Sequence, residues 1–577
     1  MQDAYKGDAV TLNGAWETRK VKSGLRGMGA RLWHLAVAGL FVMLFGFAAS
    51  GPAQAQPQQP DAATRAAQQA QERAQELGQQ GNVEQQGEAV ITDPVPRADL
   101  PPPGGATVTL VGVRFEPDSA FLSEAELAAL AQPYVGRPID FSGIANLVRD
   151  VNDIYAERGI VTASAILPPQ NLDSGILRVQ LVEGRLGSLA VVGERRTSND
   201  YILQRIRVAN EDGVVDIPTA SEDINYFNRT SIAQLRMLLQ PGATFGLTDL
   251  AIGVSEPPRN QLVAFLDNQG VESTGHVVGG ISWRHYGMFG IDDNLLVFAS
   301  ASQGSIAGTV NYDLPVSTFG TRLALGTTLS GTRVIDGPTE ELDVTGASSA
   351  FTGTLSQTLI ADTHWSLSAT ASVSRGYSES ALGLVGIVDT RTDRIALGFP
   401  ITYSDESKAF TVQPQIVFAD IEDRIAESSR QATLFAGSLS GYVDLTDEIS
   451  VQARGSWQYT EEQLLPGNLL FQVGGPTTVR GYPAEGVGGD SGYLVQAELH
   501  WDMNEHVRGL GTFVFADLGE VFSTFPERTT LFSTGLGFTY AFEDRASLEV
   551  AAGIPLIDAI ADQSDFAVMA RLTARIY

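Results

Sequence analysis

The chain has 577 residues, which exceeds the usual size of a domain built around a single hydrophobic core. Several domains are therefore expected. Its formal net charge of −29 and its isoelectric point of about 4.5 argue against a nucleic-acid partner, because phosphates require a basic surface. The absence of cysteine excludes disulfides, zinc–thiolate sites and thiol nucleophiles.

The N-terminal region has the pattern of a secretory signal peptide. Basic residues between Arg19 and Arg31 precede an apolar stretch, Leu32–Ala49, and small residues at 53–55 form a cleavage site. We predict a signal peptide over residues 1–55. An uncleaved membrane anchor is the alternative, because the apolar stretch lies near the lower length limit for spanning a bilayer. No other long apolar run follows, so no further membrane-spanning helix is expected.

Residues 56–106 predict a polar helix followed by a linker. Asp61 to Gln80 are rich in alanine, glutamine, glutamate and arginine, all good helix formers, but they lack an apolar stripe. Such a helix is polar all round and is expected in water or in a wet channel. The proline-rich stretch from Val95 to Gly105 reads as a stiff linker. Plain disorder of the whole region remains the alternative.

Two consecutive segments predict the same element order, β-α-α-β-β. The first covers residues 107–185 and includes a capping box, Ser123 with Glu126. The second covers residues 186–258. In both segments a proline follows an apolar strand, and a turn leads to an alternating strand that ends in glutamate. These shared features predict an internal duplication of an α+β domain.

Residues 259–577 show almost no helical period and instead predict β-strands. Apolar and polar residues alternate in segments such as 365–374 and 493–503. A soluble β-sandwich alternates in the same way. The small number of charges on the apolar faces, the strand length of about ten residues and the signal peptide favour an all-β outer-membrane barrel. At roughly 20 residues per strand and connection, about 16 antiparallel strands are expected.

This order of parts resembles the two-partner secretion (type Vb) transporters of the ShlB/FhaC/HecB type, which export haemolysins and filamentous haemagglutinins. The repeated units resemble their two periplasmic POTRA domains. Further matching stretches are the plug helix at 61–80, the end of the first POTRA domain at 167–185, the first barrel hairpin at 267–275, and the VRGY motif of an inward-folded loop, Val479, Arg480, Gly481 and Tyr482.

The resemblance also implies a partner for Arg480. The stretch Phe515 to Gly519 reads FADLG, and the apolar phase of its strand faces lipid, so Asp517 points into the lumen. A carboxylate in a partly desolvated lumen requires a cation. The family pattern places the loop arginine against this motif, with Phe515 and Gly519 beside the anchor. We therefore predict a bidentate pair of Arg480 with Asp517. The alternative is that Asp517 is only a wetted lumen residue.

No enzyme is predicted, because the sequence lacks G-x-S-x-G, H-E-x-x-H and P-loop motifs. No cofactor or metal site is expected. The resemblance implies a translocator in the Gram-negative outer membrane, with POTRA domains in the periplasm that bind an unfolded exoprotein by strand addition. The expected partners are a large, repeat-rich, β-helical exoprotein, outer-membrane lipid and the barrel assembly machinery.

Two other functions remain open at this stage. An assembly factor that inserts other barrels belongs to the same superfamily and shares the loop motif, but usually carries more periplasmic repeats than two. A passive porin would have neither the repeats nor the VRGY loop. Both features of the sequence therefore favour the translocator.

Overall fold

The computed structural model describes residues 62–79, 90–91, 107–193, 195–337, 339–522, 528–543, 545–560 and 563–577. The signal peptide expected over residues 1–55 lies outside this part of the chain, as does most of the expected linker. The first elements are helix α1, Ala62–Gln79, and the short strand β1, Val90–Ile91. Among the described residues, no helix combines the length and the apolar character that crossing a membrane requires.

The first β-α-α-β-β unit packs two helices on a small sheet. Its elements are β2 Val108–Thr109, β3 Gly112–Glu116, α2 Glu124–Ala131, β4 Pro138–Ile139, α3 Phe141–Glu157, β5 Ala163–Ile166 and β6 Ile176–Glu183. Strand β6 lies between β3, which is parallel to it, and β5, which is antiparallel. Helix α2 starts with the capping box of Ser123 and Glu126. The core combines one face of α3 with the buried side chains of β6: Leu147, Val151, Leu177 and Val179.

The second unit has the order β-α-α-β-β, whereas the first also contains the short pair β2–β4, and the second unit has a core of its own. Its elements are β7 Arg185–Val192, α4 Asn199–Leu203, α5 Ile217–Thr230, β8 Gln234–Pro241 and β9 Leu247–Ser255. Strand β9 pairs with β7 in parallel and with β8 in antiparallel orientation. The outer edge of β8 takes up β1 in parallel, with Val90 opposite Met237. The core contains Ile224 and Phe227 of α5 against Leu235 and Ile252 of the sheet.

From residue 260 onward the chain forms antiparallel strands. They are β10 Asn260–Asp267, β11 Val278–Tyr286, β12 Asn294–Ala301, β13 Ser305–Pro315, β14 Thr321–Arg333, β15 Val344–Ala361, β16 Trp365–Leu382, β17 Val385–Gly398, β18 Ile401–Ser404, β19 Lys408–Asp423, β20 Ser428–Asp444, β21 Ile449–Tyr459, β22 Phe471–Val473, β23 Val487–Gly489, β24 Ser491–Asp502, β25 Leu510–Phe522, β26 Thr529–Phe542, β27 Ala546–Pro555 and β28 Ala567–Arg575. Short 3₁₀ turns lie at Gln132–Tyr134, Glu272–Thr274, Glu340–Leu342 and Gly467–Leu469.

All of these strands except β22 and β23 form one closed barrel in chain order, with β28 next to β10. Strands β17 and β18 are two parts of one strand, since both pair with β16 and β19. The break falls at Phe399 and Pro400, where the proline has no N–H for a ladder bond. Counted in this way, the described residues form a barrel of sixteen strands, which confirms the predicted fold class.

The barrel wall is uneven in height. Strands β10, β12 and β28 have 8, 8 and 9 residues, whereas β15 and β16 have 18 each, so the expected length of about ten residues holds for only part of the barrel. The seam, our name for the β10–β28 pairing, places Val263 to Asp267 opposite residues of β28, and Asn268 adds hydrogen bonds to Val568 and Ala570 of that strand. On the outer surface, Val373, Ile395 and Phe418 lie side by side on neighbouring strands and are about half exposed. This apolar belt is the lipid-facing surface of the barrel.

Helix α1 lies inside the barrel and contacts its wall. The Ser330 hydroxyl on β14 donates to the Ala63 carbonyl oxygen at 2.7 Å. The hydroxyls of Thr64 and Ser378, on β16, are 3.0 Å apart. The location in a polar lumen agrees with the polar composition of the helix.

One face of α1 is nevertheless buried, which corrects the expectation of a helix that is polar all round. Ala63, Ala70 and Ala74 are almost fully buried, and Ala70 and Ala74 pack with Phe265 of β10. Alanine was not counted as apolar in the sequence pattern, but its small side chain lets the helix approach the wall closely. A Cβ built on Gly346 of β15 would lie only 3.0 Å from the Cβ of Ala63.

Asp292 holds the second unit on the barrel. It lies in the turn between β11 and β12 with a φ of 65°, a conformation that aspartate adopts more readily than most residues. Its buried carboxylate accepts hydrogen bonds from the backbone N–H groups of Ile232 and Ala233 at 2.9 and 2.8 Å. It also accepts from Nη1 of Arg322 on β14 at 2.9 Å and from the Tyr286 hydroxyl at 2.8 Å. One carboxylate therefore joins both domains.

Replacing Asp292 with asparagine should loosen the second unit from the barrel. The amide keeps the size of the side chain but removes the charge opposite Arg322. Arg322 keeps its pair with Asp313, so the loss should cost about 1–3 kcal/mol. We expect a lower unfolding temperature in detergent and faster proteolysis in the connecting segment 256–259. Asp223→Asn is the matched control, because its pair with Arg207 lies at the surface and contributes about 0–1 kcal/mol. Equal effects of the two changes would contradict this role of Asp292.

Candidate functional site

The segment between β21 and β24, residues 460–490, folds back into the barrel. Within it β22 and β23 pair with each other, with Val473 opposite Val487. Several of its glycines have positive φ angles, including Gly481 at 96° and Gly486 at 57°. A side chain at Gly486 would also collide with the backbone, since its Cβ would lie 2.6 Å from the Val473 carbonyl oxygen. The glycines thus permit a compact inward loop.

The structure brings Arg480 and Asp517 together in a bidentate pair. Arg480 Nε is 2.7 Å from Asp517 Oδ2, and Nη2 is 2.8 Å from Oδ1. The backbone N–H of Arg480 also donates to Oδ2, at 3.1 Å. Arg480 is 7% exposed and Asp517 is fully buried. Charge-assisted bonds of this geometry are among the strongest that a protein side chain makes.

The other residues of the two motifs surround this pair. The Arg480 guanidinium lies 3.7 Å from the centroid of the Phe515 ring, a cation–π arrangement. Val479 is fully buried against Val473. Gly519 leaves room for both valines, since a Cβ there would lie 2.8 Å from Val479 and 2.9 Å from Val473. All of these groups therefore belong to one cluster.

Tyr482 connects the loop to two further parts of the wall. Its hydroxyl donates to the carbonyl oxygen of Ile557 at 2.8 Å and accepts from the backbone N–H of Phe532 at 3.2 Å. These backbone groups lie just beyond the last paired residues of β26 and β27, Ser533 and Pro555. Tyr482 thus satisfies polar groups that the ladder leaves open.

Glu498 is a further member of the site, and the sequence motifs did not point to it. Its Oε1 accepts from Nη1 of Arg480 at 2.6 Å, and its Oε2 lies 2.6 Å from Nε2 of His500. The alternation of β24 could have identified Glu498 as a residue that faces the lumen. Glu498 lies in the same inward phase as Gln496, and Gln496 lies opposite Asp517. We define the Arg480 cluster as Arg480, Asp517, Glu498 and Phe515.

A second ionic cluster ties helix α1 to the seam. Arg73 Nη2 donates to Asp267 Oδ1 at 3.3 Å and to the carbonyl oxygen of Gln269 at 3.1 Å. Glu76 accepts from Nη1 of Arg571 on β28 at 2.8 Å. Asp267 and Arg571 lie opposite each other in the seam, with Oδ2 and Nε 3.5 Å apart. The helix is therefore paired with both strands of the seam.

Two family models match the chain. The POTRA domain model of the ShlB type matches residues 108–184. The model described as haemolysin secretion/activation protein ShlB/FhaC/HecB matches residues 246–540, just over half of the chain.

Curated relatives are transporters by name. The outer membrane transporter CdiB of Dickeya dadantii is 25% identical over 493 residues, covering 78% of this chain and 83% of the relative. The heme/hemopexin transporter protein HuxB of Haemophilus influenzae is 23% identical over 206 residues. That match covers 35% of this chain and 36% of HuxB, so the chain aligns with about a third of that relative.

Solved structures show the same fold. CdiB from Escherichia coli superposes with a TM-score of 0.65 at 18% identity, covering 91% of this chain and 100% of that one. CdiB from Acinetobacter baumannii gives a TM-score of 0.61 at 19% identity, with coverages of 89% and 99%. The resemblance stated from the sequence is confirmed: the chain belongs to the ShlB/FhaC/HecB family of haemolysin secretion/activation proteins, which are outer-membrane transporters with periplasmic POTRA domains.

Proposed function

We propose that the protein recognises an unfolded exoprotein in the periplasm and exports it through the barrel. The observation that carries this proposal is the occupied lumen. Helix α1 and the loop 460–490 both enter the barrel, and each is held by polar side chains of the wall. A passive pore has no need of such internal elements, whereas a translocator must stay sealed between substrates.

The POTRA domains would receive the substrate at the edges of their sheets. The sheet order leaves β3 at an edge of the first domain and β7 at an edge of the second. At another edge, the Asn152 amide already bonds the N–H and carbonyl groups of Ala165 on β5, at 2.6 and 3.2 Å. Strand addition uses main-chain hydrogen bonds and therefore accepts many sequences. This suits a large, repeat-rich exoprotein of the β-helical type.

The plug role of α1 follows from its position. The helix must leave the lumen before a polypeptide can pass. Water can replace its hydrogen bonds and ion pairs with the wall, and its apolar contacts involve the small side chains of Ala70 and Ala74. The VRGY loop would hold its place through the Arg480 cluster. The barrel assembly machinery, which would insert the protein, and outer-membrane lipid are the other proposed partners.

A secretion assay tests the proposal directly. In a strain that lacks this chain, its exoprotein should disappear from the medium and return when the chain is supplied. An unrelated outer-membrane barrel is quantified in the same cells as the control. Continued export without the chain would overturn the proposal, and a parallel loss of the unrelated barrel would indicate an assembly factor.

A further inference from the structure

Three residues of the barrel wall form a row beneath the tip of the inward loop. Phe515 on β25 lies opposite Gly535 on β26, and Gly535 lies opposite Gly553 on β27. Residues that are directly paired on neighbouring strands point to the same face of a sheet. Because Phe515 faces the lumen, both glycines face it too. The row therefore offers one aromatic ring followed by two positions without side chains.

The ring of Phe515 lies over Gly535. A Cβ built on Gly535 would lie 2.1 Å from the Ala552 carbonyl oxygen and 2.4 Å from Cζ of that ring, far inside van der Waals contact with both. The Arg480 guanidinium lies over the same ring, 3.7 Å from its centroid. Gly535 thus lets the ring lie close to the wall, at the depth where the guanidinium meets Asp517.

The backbone of the loop tip lies directly on Gly553. The atoms nearest to a Cβ built there all belong to the loop: N of Gly481 at 2.8 Å, C of Arg480 at 3.0 Å and Cα of Gly481 at 3.1 Å. The contact is reciprocal, since a Cβ on Gly481 would lie 3.0 Å from C of Gly553. Neither contact involves the far end of a flexible side chain that could move aside.

We propose that Gly553 is a positioning residue for the VRGY loop. Because Gly553 has no side chain, the loop backbone can pack directly on the barrel wall at this position. This close packing sets the depth at which Arg480 meets Asp517. Gly535 has the companion role of seating the Phe515 ring. The inference deepens the proposed function and rests on it only for the consequence for export.

Trypsin cleavage after Arg480 measures loop docking without reference to secretion. Arg480 is the single lysine or arginine between Arg454 and Arg508, and it is buried while the loop is docked. Cleavage there therefore reports the fraction of molecules whose loop has left the lumen. Gly553→Ala should cleave about tenfold faster or more than the unchanged protein, because overpacking of this kind favours the released loop. Unchanged cleavage of a folded Gly553→Ala barrel would overturn the proposal.

Gly326→Ala is the matched control. Gly326 is a lumen-facing glycine of β14, and a Cβ there would have no neighbour closer than 3.8 Å. Its cleavage rate should not change. Equal acceleration by both substitutions would mean that any added methyl group in the wall frees the loop, which also contradicts a specific role for Gly553.

A loop deletion separates loop docking from packing within the wall. In a protein lacking residues 475–485, Gly553→Ala should leave the unfolding temperature and the folded yield unchanged. If the full chain with Gly553→Ala does not fold, the loop-deleted protein decides the question. Folding of Gly553→Ala in the loop-deleted protein supports the proposal, and failure to fold overturns it. A lost secretion phenotype alone concerns the proposed function and leaves the cleavage result intact.

Discussion

Replacing Arg480 with lysine should release the inward loop almost as completely as replacing it with alanine. Arg480 uses Nε and Nη2 for Asp517 and Nη1 for Glu498. A single ammonium cannot reproduce this planar fork, so at least one buried carboxylate would lose its partner. Breaking a buried ion pair costs about 3–5 kcal/mol, which raises the released population by about two to four orders of magnitude.

Conductance in planar bilayers measures this effect in both variants. Tryptic cleavage after position 480 measures it only in the lysine variant, since trypsin cleaves after lysine and arginine but not after alanine. Arg375→Lys is the control, because Arg375 makes the same fork with Asp393, at 2.5 and 3.0 Å, but at the exposed outer surface. An exposed pair contributes about 0–1 kcal/mol, so little change is expected. If Arg480→Lys behaved like the unchanged protein while Arg480→Ala did not, charge alone would hold the loop.

Exchanging the two charges should not restore the loop. In the double variant Arg480→Asp with Asp517→Arg, the new carboxylate would stand beside Glu498, which now pairs with Arg480. The backbone N–H of residue 480 would also lose its acceptor, since it bonds to Asp517. Recovery of docking in the exchanged variant would contradict this geometry.

Neutralising Arg73 and Glu76 together should free helix α1 while the barrel stays folded. Once the two helix charges are gone, Asp267 and Arg571 can still pair with each other across the seam. The wall therefore keeps no unpaired charge, and the loss falls on the helix. We expect the Arg73→Gln, Glu76→Gln variant to show more frequent and larger openings in planar bilayers. Its unfolding temperature should remain near that of the unchanged protein.

Two changes on the same helix serve as controls for that experiment. Gln71 and Gln75 are exposed to the lumen, so alanine at both positions should leave the conductance unchanged. Deleting the whole of α1, Ala62–Gln79, sets the upper limit of pore opening. Unchanged conductance after that deletion would argue against the plug role.

The alternation of β25 alone is enough to orient Asp517. Val514 is 51% exposed on the outer surface, and the period of two along the strand then turns Asp517 inward. The loop motif supplied Arg480, and the resemblance supplied the pairing. Hydrophobic alternation likewise predicted the barrel, because a membrane accepts only closed β-structure of this kind. The length of the region, at roughly 20 residues per strand and connection, predicted about sixteen strands.

Contacts between the inward loop and the barrel wall could not be derived from the sequence in the same way. Gly535 and Gly553 face the loop only because β25, β26 and β27 pair in one particular register, which is set by turns and barrel shear. Glu498 contacts Arg480 only because the long loop that carries Arg480 folds into the barrel. The sequence does not show how far into the lumen that loop reaches. Alanine spacing in α1 had a meaning only beside a wall that accepts small side chains.

The uneven height of the barrel wall has a consequence for the bilayer around it. At about 3.3 Å per residue and a tilt of about 40°, eight residues cover about 20 Å of membrane thickness and eighteen about 45 Å. An ordinary hydrocarbon core is about 30 Å thick, so lipids beside the seam must thin. On the side of the barrel opposite the seam, β15 and β16 are longer than the bilayer is thick. Their extra length projects away from the POTRA domains, because the β15–β16 turn contacts α5. A polypeptide that leaves the barrel is thus flanked by the long strands β15 and β16 on one side and by water on the side of the seam.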